Sequence, residues 1–179
     1  VLNTPFSIIR TTDQRGLKKQ HYFTEEELPA IYSPIHDQPP KGEIKNMNVV
    51  VFILESFGKE YITALNQPTT IEGYQGYTPF LDSLISESLV FEYAFANGKK
   101  SIEALPSVLS AIPGMESPYV LTPYSYNEIN SLPGLLAKEG YYTAFFHGAP
   151  NGSMGFDAFI KAAGVAHYFG KTEYANDAD

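Results

Sequence analysis

The run Val49-Val50-Val51-Phe52-Ile53-Leu54 leaves this chain few folding options. Six apolar residues in a row are too few to cross a membrane. Four of them are β-branched, so the run reads as a strand buried on both faces. Strands of that kind belong to parallel sheets covered by helices. The run stops at Glu55. Open parallel sheets hold their ligands beyond the carboxyl ends of their strands, where this carboxylate falls.

The residues after Asn48 continue the pattern. Thr78-Pro79 opens a helix carrying Phe80, Leu81, Leu84 and Ile85 at helical spacing, with Pro placed in the first turn. Leu89 to Phe95 reads as a strand. Ser101 to Ala111 reads as a helix with Ile102, Leu105, Val108 and Leu109 on one face. Pro106 has no N–H to give, so it should kink that helix or delay its start. Ser131-Leu132-Pro133 begins a further helix that runs to Lys138 and stops at Gly140. Tyr142 to Phe146 is a second buried strand ending at His147-Gly148, and Asp157 to Ala163 is a short last helix. Strands alternating with helices imply an α/β fold, a parallel sheet with helices on both faces.

Residues 1–46 differ. They hold Glu25-Glu26-Glu27, the Pro-rich stretch Tyr32 to Pro40 and little periodicity, and read as an extended linker. Residues 47–179 form the folded part. The chain's 44% hydrophobic content is enough for a real core.

Charge and cysteine narrow the function. With 12 Lys+Arg against 20 Asp+Glu, the net charge of −8 excludes the basic stripe that phosphate-backbone binding needs, so no nucleic acid is expected. The absence of Cys excludes thiolate zinc sites and disulfides. No signal peptide or membrane span is present in the sequence.

Ser101 follows the turn Asn97-Gly98-Lys99-Lys100 at the start of a helix. Alone it is a helix cap, just as Glu55 alone is a solvated loop carboxylate and His147 a solvated strand end. Together, two polar strand ends and a helix-start hydroxyl flanked by cations describe one shared site. A carboxylate, a hydroxyl and positive charge are the parts for moving an anionic group with a divalent metal.

Four words carry a resemblance. They are Phe52-Ile53-Leu54-Glu55-Ser56-Phe57, Thr78-Pro79-Phe80-Leu81-Asp82-Ser83-Leu84, Gly98-Lys99-Lys100-Ser101 and Gly140 to Gly148. In this order and spacing the chain resembles the sulfatase-like enzymes of the alkaline phosphatase superfamily, in particular the lipoteichoic acid synthase and phosphoglycerol transferase group. The resemblance implies an alkaline-phosphatase-like sheet of which this chain is the N-terminal half. It implies an extracytoplasmic catalytic domain on a bacterial cell membrane, with residues 1–46 as the linker to membrane helices that precede Val1. It implies that Glu55 is a ligand to a divalent metal, first of all manganese, with magnesium, calcium and zinc as alternatives. It implies that Ser101, where the family usually has Thr, is both the nucleophile and a metal ligand. Ser101 and Pro106 also share the spacing that related phosphoethanolamine transferases have between nucleophile and Pro. His147 then contacts an anionic ester substrate, lipid- or glycan-linked, and Lys100 adds positive potential beside it.

The sequence departs from that group in three ways. Met154 and Phe156 stand where the lipoteichoic acid synthases have a Trp and an Arg gripping glycerol phosphate. Ser101 is followed by Ile102-Glu103-Ala104-Leu105, without the Pro and Arg that accompany formylglycine in true sulfatases. No Asp-His pair follows His147 to complete the metal site; only Asp177 and Asp179 come late. The remaining ligands are therefore expected in the remainder of the catalytic domain, beyond Asp179. The leading expectation is a phospho-ester transferase or hydrolase with a covalent Ser101 intermediate. The alternatives are a sulfatase-type hydrolase of glycan esters, or a non-catalytic extracytoplasmic binding domain.

Overall fold

The computed structural model describes residues 5, 17, 20–36, 39, 42–43, 45–66, 72–74, 76–91 and 93–174. About half of the expected linker thus lies outside the described residues. Its described part includes one helical turn, α1 (Leu28–Ile31), opened by Pro29 and exposed throughout.

The helices form where Pro, a cap and an apolar stripe coincide. α2 (Pro79–Ser86) starts on Thr78 with Pro79 at its first position. Asp82 in its first turn accepts from the backbone N–H of Ala64 at 2.8 Å, which ties the helix to the short 3₁₀ turns at 59–65. α3 (Ser101–Ser110) begins at Ser101 despite its interior proline. Pro106 does not delay the start: the helix runs through it, and Pro106 is among the most deeply buried side chains. The helix ends at Ala111 in the left-handed region (φ 52°), and Ile112 N–H returns to Pro106 C=O at 3.1 Å. In α4 (Leu132–Lys138), the Ser131 hydroxyl accepts from Gly134 N–H at 3.0 Å. The same hydroxyl donates to Ala163 C=O, so one buried Ser caps one helix and anchors the end of another.

β1 (Ala144–Phe146), α5 (Phe156–Ala162) and β2 (His167–Phe169) make a βαβ unit. The strands are parallel, with Ala144 opposite His167, Phe145 opposite Tyr168 and Phe146 opposite Phe169. His147 N–H extends the ladder to Phe169 C=O at 2.8 Å. The last helical turn, α6 (Lys171–Tyr174), follows directly.

The core lies between α3, the 3₁₀ turn at 119–121 and α5. Ile102 and Leu105 from α3 pack with Tyr119 and with Phe156, Phe159, Ile160 and Ala163. Tyr119 meets Phe159 edge to face at 6.1 Å and donates its hydroxyl to Tyr124 C=O at 2.7 Å, which satisfies the polar end of a buried ring.

Two strand expectations come out differently. The run 49–54 joins no sheet among the described residues, and it is exposed: Val50 is 72% and Phe52 81% accessible. The described residues of 89–95 are likewise outside any sheet. A strand needs a neighbour for its N–H and C=O groups, and the described sheet has only β1 and β2. An apolar cavity of about 800 Å³ is lined by both the run, Val49 to Leu54, and Tyr141 to Phe146.

Candidate functional site

Ser101 and His147 are placed at the ends of elements, Lys100 just before one, and Glu55 in a turn. Glu55 sits in the turn after 49–54, followed by Ser56 in the left-handed region (φ 51°). The Ser56 hydroxyl donates to Glu55 Oε1 at 3.1 Å. Ser101 is the first residue of α3 and half-buried, at the positive end of that helix's dipole. Lys99 and Lys100 are exposed in the turn before it. His147 directly follows β1 and is half-buried, packed against Phe145 and Phe156 at ring distances of 6.0 and 5.0 Å.

Two cavities bring these residues together. One, of about 490 Å³, is lined by Glu55, Lys99, Lys100 and Ser101 together with Leu121 and Met154. The 800 Å³ cavity has Glu55, Ser101, His147 and Met154 in its walls. Glu55, Ser101 and Met154 are common to both. The carboxylate, the hydroxyl, the cation pair and the imidazole thus converge on one region, reached from different elements. Met154 and Phe156 both line the larger cavity, Phe156 from the core at 6% accessibility and Met154 more exposed.

The turn that presents Ser101 is built by a residue that sequence reasoning passed over. Buried Glu103, in the first turn of α3, accepts at Oε2 from Lys99 N–H (2.8 Å) and Lys100 N–H (3.1 Å). This is the carboxylate half of a capping box, and it holds the two backbone amides that precede Ser101. Gly98 is required beneath it, since a Cβ there would stand 2.6 Å from Glu103 Cβ. Asn97 Oδ1 accepts from Gly114 N–H and fastens the other end of the turn. The signal for Glu103 was the acid three residues after the N-cap, masked because the cap is Lys100 and not Ser or Thr.

A second set surrounds His147. Its Nδ1 is 3.0 Å from the Tyr168 hydroxyl on β2. Burial, with Asp157 and then Glu173 nearby, pushes the Tyr168 phenol above its usual range, so it stays protonated. Asn151 in turn donates to both oxygens of Glu173 at 2.9 Å, and Gly170 N–H donates to Oε2 at 2.8 Å. Those bonds hold the Glu173 carboxyl below the usual range. His167-Tyr168-Phe169 is too short a run between Gly164 and Gly170 to be read as a strand from periodicity, so Tyr168 was missed with it.

Glu55 and Ser101 offer oxygen donors, the type that hard divalent cations take. Among the described residues, no group of three or more His, Cys, Asp or Glu side chains is close enough to hold an ion. Asp177 and Asp179 lie outside the described residues. No helix among the described residues is long and apolar enough to cross a membrane.

Comparison with known proteins fits this architecture. A crystal structure of a lipoteichoic acid synthase from Listeria monocytogenes is similar over 69% of this chain, with 26% identity and a TM-score of 0.58. A protein of the alkaline phosphatase superfamily from Vibrio parahaemolyticus matches over the same share with 23% identity and a TM-score of 0.58. The match spans 29% of each of those chains, so this chain corresponds to less than a third of their length. The fold is alkaline-phosphatase-like. The sulfatase family profile matches residues 47–179. On the extent of that match, the chain belongs to the sulfatase family.

Proposed function

We propose that the protein is a metal-dependent transferase or hydrolase of phospho-esters that works through a covalent Ser101 intermediate. The observation that carries this reading is the convergence of Glu55, Lys100 and Ser101 on one cavity. Phosphoryl-type transfer asks for a nucleophilic oxygen, neutralisation of charge and in-line geometry. Ser101 Oγ attacks phosphorus, giving up its proton, and an Oγ–P bond forms as the donor's ester P–O bond breaks. The departing oxygen leaves as an alcohol, and a glycan hydroxyl or water then resolves the serine ester. The positive end of α3 and Lys100 offset charge on the phosphoryl oxygens. His147 contacts the anionic group from the adjoining cavity. Glu55 and Ser101 would hold a divalent ion, manganese in the first instance, which when bound lowers the hydroxyl pKa and withdraws charge from the phosphoryl group.

The similarity to a lipoteichoic acid synthase supports an extracytoplasmic domain at a bacterial membrane, acting on a lipid- or glycan-linked donor. Met154 and Phe156 supply no guanidinium for a bidentate grip on phosphate, so phosphatidylglycerol-like donors should turn over poorly. The sulfatase family match supports a second reading, hydrolysis of glycan sulfate esters. Against it, Ser101 lacks the Pro and Arg that accompany formylglycine.

A substrate panel tests the choice. With manganese, the full-length protein should cleave nitrophenyl phosphate or a nitrophenyl phosphodiester and leave nitrophenyl sulfate intact. Glu55→Ala should abolish that turnover together with tight manganese binding measured by calorimetry. Cleavage of the sulfate alone, or undiminished metal affinity in the variant, would overturn the reading.

A further inference from the structure

His147 is held by one side chain whose role the proposed reaction does not use. The Tyr168 hydroxyl lies 3.0 Å from His147 Nδ1, across the β1–β2 ladder. A hydrogen bond between a phenol and an imidazole nitrogen has a preferred direction. Imidazole nitrogen is a far better acceptor than phenol oxygen, and phenol is the better donor. The O–H therefore points to Nδ1. That leaves the imidazole proton on Nε2, and no partner for Nε2 is found among the described residues. The ring itself is fixed between Phe145 and Phe156. Tyr168 is fixed too, since its ring tilts against Phe145 at 5.5 Å and its strand leads into the Gly170–Glu173–Asn151 clamp. The His147 backbone belongs to the same ladder, through its N–H to Phe169 C=O.

We propose that Tyr168 is a positioning residue that holds His147 in the tautomer protonated at Nε2, so that His147 meets the substrate's anionic oxygen as a neutral hydrogen-bond donor. This rests on the reading of His147 as a substrate contact. An Nε2–H donor serves an anionic ester without needing a charged imidazole. Without the phenol the two tautomers compete, and the one with a bare Nε2 lone pair repels the phosphoryl oxygen. Tyr168→Phe removes one oxygen and keeps the ring that packs on Phe145, so the fold should survive it.

A double-mutant cycle on the full-length protein, with a nitrophenyl phosphodiester and manganese, separates this from a structural role. Tyr168→Phe should lower kcat/KM about tenfold in the parent, and by less than about twofold when His147 is already Ala. In ¹⁵N-histidine spectra of the parent, the His147 Nδ1 signal should be that of an unprotonated nitrogen, and it should move toward the average of the two tautomers in Tyr168→Phe. An equal loss in both backgrounds would overturn the positioning role while leaving His147 as a substrate contact. So would a protonated Nδ1 in the parent. If His147→Ala leaves kcat/KM unchanged, the substrate-contact reading fails, and the positioning role fails with it.

Discussion

Replacing Glu103 by Ala should loosen the turn that presents Ser101. The carboxylate oxygen Oε2 holds two amides, those of Lys99 and Lys100, at 2.8 and 3.1 Å. Hydrogen bonds to a charged group contribute about 1.5 to 3 kcal/mol each. Both donors share one oxygen and belong to residues exposed at the surface, so water replaces part of what is lost. An acid in the first helical turn adds roughly 0.5 kcal/mol through the dipole. The net cost should be about 2 to 3 kcal/mol. Because each 1.4 kcal/mol is tenfold, this corresponds to roughly 30- to 150-fold. The local readout is amide hydrogen exchange in the peptide spanning 97–104 of the full-length protein. Exchange at Lys99 and Lys100 should speed up by about that factor. Glu103→Gln keeps an oxygen in place without the charge and should lose roughly 1 kcal/mol. A misplaced Ser101 should also lower kcat about 10- to 100-fold in the Ala variant. Unchanged exchange in Glu103→Ala would refute the reasoning, as would a Gln variant as damaged as the Ala one.

Two further substitutions probe the scaffold. Gly98→Ala forces a Cβ to 2.6 Å from Glu103 Cβ and 2.9 Å from its Oε2, so it should reproduce the exchange phenotype of Glu103→Ala with the carboxylate still present; normal protection of Lys99 and Lys100 would contradict that. Ser131→Ala removes a buried hydroxyl that caps α4 and donates to Ala163 C=O, and should lower stability by roughly 1 to 3 kcal/mol in urea unfolding. A loss under about 0.5 kcal/mol would mean that water or a neighbour takes over both bonds.

The helices were the most legible part of the sequence because their signals are local. Pro79 at a first position, Ser131 as a cap, and the apolar spacing of Ile102 and Leu105 all act within one or two turns. The 142–146 expectation contained β1, and the 157–163 expectation fell one residue from α5. Pro106 did not delay the start of α3, the one of its two expected effects that the helix bounds test. Here it fills the core, and the packing of α3 outweighs one missing N–H bond. The run 49–54 has strand composition, but pairing depends on a neighbour distant in sequence, and among the described residues none is hydrogen-bonded to it. At the site, Glu55, Ser101, Lys100 and His147 could be named from strand ends, a helix start and a resemblance. Tyr168 could not, since it acts through a bond to another residue's ring that no periodicity encodes, and the capping-box spacing of Glu103 was hidden by a Lys at the N-cap.

The most direct test of the central claim is to catch the serine ester. The full-length protein, mixed rapidly with a phosphodiester donor and manganese and quenched in acid, should carry a phospho-adduct on the peptide containing Ser101 in its mass spectrum. Ser101→Ala should show neither adduct nor turnover, while Ser101→Thr should keep measurable activity, as the relatives it resembles use Thr at this place. An adduct on another residue, or an alanine variant that still turns over, would contradict the account.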